Sequence, residues 1–252
     1  MNDTMRLLPC ADGAVTIELG DAIDSRILAR VEALSAALHE AAHSGRLPGI
    51  LDVVQTFRSV TLRYDPLAAT LAEISAGIAE IAACVRPGNG PAGQSWCLPV
   101  CYGGAFGPDL TAVAEATGLA PEAVGAQHAA GHYRVAMLGF LPGFPFMDGV
   151  APGLRLPRRT DPRLRVPSGS VAVAGPLTAI YPWESPGGWH LIGRCPLPMF
   201  DPARPRPALL APGDRVRFFE IPPERFAAIA QRIADGGLVA SEWHDAVPRQ
   251  TP

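Results

Sequence analysis

The chain has 252 residues, 48% of them apolar, with 24 acidic side chains against 21 basic ones and a formal charge of -3. No lysine is present, so all 21 of those basic residues are arginines; a guanidinium stays protonated, which excludes Schiff-base chemistry and the phosphate-binding loop built around a lysine. The near balance of charge gives no electrostatic reason for a nucleic-acid or anionic-membrane partner.

The opening MNDTMRLLPCADG has no apolar core of signal-peptide length, and no later run approaches the ~18 apolar residues of a membrane span, which predicts a cytoplasmic protein. Met5 to Cys10 and Ala14 to Leu19 read as a hairpin around Ala11-Asp12-Gly13, since Val15, Ile17 and Leu19 alternate. Ile27, Val31, Leu34 and Leu38 fall at helical spacing behind a capping Asp24 or Ser25. A second hairpin, Ile50 to Thr56 and Ser59 to Tyr64, precedes a second helix over Leu67 to Ala83 with the stripe Leu71, Ile74, Ile78 and Ile81. This ββαββα order predicts a small α+β sandwich over residues 1–86. His39 and His43 lie four apart on the first helix with nothing spaced to complete a metal site, and they read as exposed helix histidines.

Residues 87–93 have linker composition, and the domain boundary is placed there. Beyond it, Trp96 to Tyr102 reads as a strand, and Asp109 to Thr117 and Glu122 to Ala130 as short helices, each starting behind a proline. From Gly139 to Gly213 there are fifteen prolines and no proline-free run longer than nine residues, so long helices are excluded. Short strands such as Ser170 to Ala174, Thr178 to Tyr181, Trp189 to Gly193 and Arg215 to Phe219 predict a closed or nearly closed β-barrel over 94–221. A last helix, Pro223 to Ala234, opens a C-terminal segment of 222–252; its face of Phe226, Ile229, Ala230 and Ile233 needs a surface, expected to bridge the two domains. Five cysteines, an odd count without a C-x-x-C pair, read as reduced thiols, with Cys97 and Cys101 on one strand face.

The run MLGFLPGFPFMDG, residues 137–149, is the most apolar and stiffest stretch, and Ser185-Pro-Gly-Gly-Trp189 has the same character. Loops fixed by proline lose little entropy on binding and make good pocket walls. Phe140, Phe144, Phe146, Tyr181, Trp183 and Trp189 supply apolar area for such a pocket, while Arg158, Arg163, Arg165, Ser168, Ser170, Thr178, Ser185, Glu184 and His190 supply polar points. Without a ligand, the same composition describes a proline-stapled barrel with an aromatic core.

The strings GFLPGFPF, PRRTDPRLRVPSGSVAVAG, TAIYPWESPGGWHLIGR and MFDPARPRPALLAPGDRVRF, preceded by CYGGAFGPDL and GLAPEAVGAQHAAGHY, resemble the family of the 5-oxoprolinase B-type subunit, also called allophanate hydrolase subunit 1. It is also the family of a bacterial inhibitor of a sporulation histidine kinase. The resemblance spans nearly the whole chain and implies a small α+β N-terminal domain followed by a cyclophilin-like β-barrel. It implies a subunit that works with a C-type and an A-type partner to open 5-oxoproline, a small cyclic amide, to glutamate at the expense of ATP, bound in a site shared with the partner subunit and with Mg2+ as cofactor. As a subunit, the chain is expected to be inactive alone.

On positions that match the family's strings, Arg158 and Arg163 are candidates for carboxylate or phosphate contact, because a guanidinium binds either bidentately. His128 is the candidate general acid or base. His128 and His132 form an H-x-x-x-H pair without the glutamate of the metalloprotease motif, so no metal is expected. Phe140, Phe144, Tyr181 and Trp189 would wall the cleft and Ser170 and Thr178 would hydrogen-bond the ligand; replacing Phe144 is expected to lower activity without unfolding. The chain departs from the family's pattern at Leu177 and Ala179, where relatives carry Gln and Gly, which removes an amide from a presumed cleft wall. Two other readings follow from the same resemblance: an inhibitor of a sensor histidine kinase acting by binding alone, and a prolyl isomerase.

Overall fold

The computed structural model describes residues 5–86, 93–237 and 240–244. The chain divides into two units, Met1–Ala92 and Gly93–Pro252. Residues 87–92 of the expected linker and the tail 245–252 lie outside the described residues.

In the first unit β1 (Arg6–Pro9) and β2 (Ala14–Glu18) form an antiparallel hairpin, followed by α1 (Ser25–His43), a second hairpin of β3 (Ile50–Gln55) and β4 (Ser59–Tyr64), and α2 (Leu71–Cys84). The sheet order is β1-β2-β4-β3. Val15 and Ile17 of β2 and Val60, Leu62 and Tyr64 of β4 share a core with Ile27, Val31, Leu34 and Leu38 of α1 and Ile74, Ile78 and Ile81 of α2. Asp24 caps α1, its carboxylate accepting from the Arg26 N–H at 2.7 Å. The second helix starts at Leu71, four residues later than its apolar spacing suggests. Asp65 first holds a turn by accepting from Leu67 N–H at 2.9 Å, which leaves Leu67 97% exposed, and the reciprocal Thr70–Glu73 capping box then fixes the helix start. His39 and His43 are both exposed, and the His43 ring bonds the His39 carbonyl at 2.8 Å.

The second unit opens with β5 (Ser95–Tyr102), α3 (Leu110–Thr117) and α4 (Pro121–Ala129). Then come β6 (Tyr133–Leu138), β7 (Pro145–Asp148), β8 (Arg163–Val166), β9 (Ser170–Ala174), β10 (Leu177–Ile180), β11 (Ser185–Gly187), β12 (His190–Arg194), β13 (Arg215–Glu220) and α5 (Pro223–Ala234). Seven strands close a barrel in the order β10-β7-β6-β13-β5-β12-β9, and β8 pairs with β11 as a separate ribbon. All the barrel pairings are antiparallel except β13 with β5. Closure leaves no free sheet edge, and inward side chains such as Leu98, Val100, Val135, Met147, Val173 and Ile192 fill the interior.

Two sequence readings change here. The run 137–149 is not loop throughout: Met137 and Leu138 end β6 and Pro145 to Asp148 form β7, with Met137 opposite Phe146, so only residues 139–144 make the connecting turn. Pro145 is tolerated as the first residue of its strand, where fewer ladder bonds need its N–H. The apolar face of α5 packs on the barrel within its own unit, Ile229 and Ile233 against the barrel core and Phe226 against Phe106 at 4.8 Å. Among the described residues no helix is long and apolar enough to cross a membrane.

Candidate functional site

The turn between β6 and β7 places Phe140 in the left-handed region, φ +67, with its ring 63% exposed. A bulky residue at positive φ is strained by about 1–3 kcal/mol, and an exposed ring buries little to offset it. Gly143 makes the turn possible: it sits at φ +76, and a Cβ there would fall 2.8 Å from Phe200 Cβ and 2.9 Å from the Met199 carbonyl oxygen.

Behind Phe140 stands Phe144, nearly fully buried, at the centre of an aromatic cluster that is edge-to-face except for the tilted pair with Phe146. Its ring lies 5.4 Å from Phe140, 5.0 Å from Tyr181, 4.8 Å from Phe146 and 6.1 Å from Trp189. These five aromatic residues wall a cavity of about 300 Å³, closed on its other side by Pro162, Pro186, Gly187 and Gly188. Glycine is required at 187, since a Cβ there would come within 2.4 Å of the Tyr181 hydroxyl. That hydroxyl has no hydrogen-bond partner among the described residues. Burial raises it to about 12 against the opposing pull of the Arg158 and Arg163 charges, so it is a neutral O–H donor at physiological pH.

Arg158 is the cation of the cavity. Its guanidinium carbon lies 5.9 Å from the centre of the Trp189 ring and has no ion pair among the described residues. The segment that carries it is pinned on several sides. Arg159 N–H donates to the Gly188 carbonyl at 2.8 Å, and His190 Nε2 bonds the Pro157 carbonyl at 2.9 Å. Asp109, buried at the start of α3, accepts from both Arg163 arms at 2.6 and 2.8 Å, from Arg159 at 3.0 Å and from the Leu191 N–H at 2.7 Å.

The structure therefore brings together Phe140, Phe144, Tyr181, Trp189 and Arg158 around the cavity, whose lining does not include Arg163, His128, Ser170 or Thr178. The Arg163 guanidinium is held by Asp109, while its charge still reaches the Tyr181 hydroxyl. His128 lies in the barrel interior, outside the lining of this cavity. It is fully buried and stacks on Tyr133 at 5.1 Å and Phe218 at 4.8 Å. The Thr178 hydroxyl donates to the Ala172 carbonyl at 3.0 Å, so its oxygen accepts from His128 Nε2–H at 2.9 Å, and Nδ1 then accepts from the Tyr102 hydroxyl at 2.8 Å. Both ring nitrogens are used, and burial drives the ring down to about 3, which favours the neutral imidazole. Thr178 belongs to this interior network, and Ser170 is buried in β9 beyond the lining of the cavity. Leu177 and Ala179 are buried beside Thr178 and line the cavity no more than it does.

In the sequence Asp109 reads only as a helix start; its signal, an acid directly behind Pro108, gives no hint of partners 50 and 54 residues away. Cys97, Cys101 and Cys195 are free and buried, and burial raises all three thiols, Cys195 to about 12, which removes them as nucleophiles. Among the described residues no group of three or more His, Cys, Asp or Glu is placed to hold a metal ion.

Comparison with known proteins agrees with this architecture. The family model described as carboxyltransferase domain, subdomain C and D, matches residues 5–210, and the chain belongs to that family, which takes in the B-type subunits of 5-oxoprolinase. The chain is 38% identical over 224 residues to the 5-oxoprolinase B-type subunit of Bacillus subtilis (strain 168), covering 83% of this chain and 90% of that protein. The crystal structure of TTHA0988 superposes with a TM-score of 0.72 at 41% identity, over 83% of this chain but only 40% of that longer one. The K. lactis urea amidolyase shares the fold, with a TM-score of 0.75 at 20% identity over 93% of this chain and 16% of its own.

Proposed function

We propose that this chain is a subunit of a multi-protein, ATP-dependent 5-oxoprolinase, or of a closely related small-amide hydrolase, and that it acts with a C-type partner subunit and an A-type subunit. The observation that carries the reading is the cavity of about 300 Å³ with aromatic walls and one unpaired guanidinium, Arg158. A five-membered lactam bearing a carboxylate matches it in kind: the ring lies against Phe140, Phe144 and Trp189, and the carboxylate takes Arg158 bidentately. The neutral Tyr181 hydroxyl is a donor for the amide oxygen, whose negative charge grows as the amide is attacked. The relatives named as B-type subunits of 5-oxoprolinase support the assignment of class.

The donor set does not fit a magnesium nucleotide. The cavity lining offers a single cation and no carboxylate, the chain has no lysine, and no metal-binding cluster occurs among the described residues. The nucleotide and Mg2+ are therefore assigned outside this cavity, to a site that the partner supplies or shares. With no acid–base group in the cavity, the chain binds and orients the amide and is inactive alone.

The test is glutamate release from 5-oxoproline with ATP, by this chain alone and by its complex with the C-type and A-type subunits encoded by its native host. Release by the complex and none by the single chain is the expected result. A chain that forms no complex with those subunits, but binds a sensor histidine kinase and blocks its autophosphorylation, would overturn the reading in favour of an inhibitor.

A further inference from the structure

A second cavity, of about 360 Å³, opens where β5, β13 and β6 run side by side, and its lining is cationic. Arg215 and Arg217 stand two apart on β13 and so project to the same face. Arg134 of β6 lies directly opposite Arg215, and Ser95 and Cys97 of β5 lie opposite Arg215 and Arg217 on the other side. His132 completes the polar lining, and no carboxylate contributes to it among the described residues. Like charges directly opposite across a ladder are destabilising, so nothing in the strand pairing itself accounts for the arrangement.

Six arginines elsewhere in this unit are engaged by oxygen acceptors. Arg155, Arg159, Arg163, Arg194, Arg204 and Arg232 each donate to a carbonyl or a carboxylate. Arg134 has a partner of its own, while the guanidinium groups of Arg215 and Arg217 have none among the described residues. Two adjacent guanidinium groups without a partner among the described residues, on a concave stretch of strand surface, make a receptor for a compact anion. Their combined charge favours a tetrahedral dianion, held through paired N–H forks, over a single carboxylate.

We propose that this cavity is a binding site for a phosphate group, separate from the aromatic cavity and independent of the amide-opening reading. The phosphate comes either as the free ion or as the terminal group of a phosphate ester. The strand backbone fixes where the two side chains leave the sheet, and the anion orders their guanidinium groups on binding.

The test is calorimetric titration of the full chain with inorganic phosphate, ADP, adenosine and acetate at low ionic strength, repeated on Arg215→Gln/Arg217→Gln and on Arg158→Gln. Saturable phosphate binding is expected, weakened about tenfold or more in the double variant and retained in Arg158→Gln. Adenosine and acetate should bind far more weakly. ADP binding tighter than phosphate identifies the ester as the ligand, and equal or weaker ADP binding identifies the free ion. No phosphate binding, acetate binding as tight as phosphate, or loss in Arg158→Gln with none in the double variant overturns the proposal. Unchanged thermal melting of the double variant shows that a lost heat signal is not lost fold.

Discussion

Asp109 and Arg163 meet through two short hydrogen bonds, 2.8 and 2.6 Å, that tie the start of α3 to β8 across 54 residues of sequence. The carboxylate is 5% exposed, and it also takes Arg159, so one buried charge fixes two arginines that follow Arg158 in the chain. Removing it leaves two partly buried guanidinium groups without a counter-charge. Asp109→Ala is expected to lose about 3–5 kcal/mol of stability, read by denaturant unfolding. In Arg163→Lys a point charge replaces the fork; the fold should survive, while the complex's apparent KM for the amide rises because Arg158 is no longer held over Trp189. An unchanged KM in that variant would detach the clamp from the site.

Phe140 and Phe144 lie 5.4 Å apart yet make very different test positions. Phe144 is buried under four aromatic neighbours, so Phe144→Ala is expected to cost about 3–5 kcal/mol of stability, and lost activity in that variant says little about ligand contact. This revises the expectation that Phe144 can be removed without harm to the fold. Phe140 is the informative position. Phe140→Gly removes the exposed ring and relieves the positive φ, so its Tm should equal or exceed that of the parent while the complex loses activity. Full activity at raised Tm would show that the strain serves no ligand.

Much of the fold is legible in the sequence because it rests on local pattern. Alternation gives the two N-terminal hairpins, and the density of prolines excludes long helices after Gly139. The aromatic wall is legible too, because Phe140, Phe144, Tyr181 and Trp189 lie in runs whose stiffness is written in their prolines and glycines. What local pattern does not carry is decided by closure of the barrel. Whether Arg163 or Arg158 faces a ligand depends on where Asp109 arrives, and whether His128 is a base or a core residue depends on Tyr102 and Thr178 reaching its two nitrogens. No spacing rule carries such information across 26 to 54 residues.

Arg158→Gln should behave as the inverse of the Asp109 variant. The guanidinium is exposed and makes no ion pair among the described residues, so the fold and Tm should hold. If it binds the substrate carboxylate, kcat/KM of the complex falls about ten- to a hundredfold, carried mainly by KM, and an amide lacking the carboxylate should be no worse a substrate for the variant than for the parent. A variant with parental KM removes Arg158 from recognition.

His128 makes the stability of the barrel unit depend on pH in a calculable direction. Its ring has an ordinary value of 6.5 when unfolded and about 3 when folded, driven down by burial. Between those values the unfolded chain binds a proton that the folded chain does not, so the contribution is complete above 6.5 and is lost as pH falls toward about 3. Through that window the loss from this residue is about 1.4 kcal/mol per pH unit. Thermal melts across the window should show Tm falling with acid, with about one proton taken up on unfolding. His128→Gln, which keeps a donor and an acceptor but no titration, should melt lower at neutral pH and lose that part of the slope. A slope identical in the two proteins would mean that His128 is already charged, or reached by water, in the folded barrel.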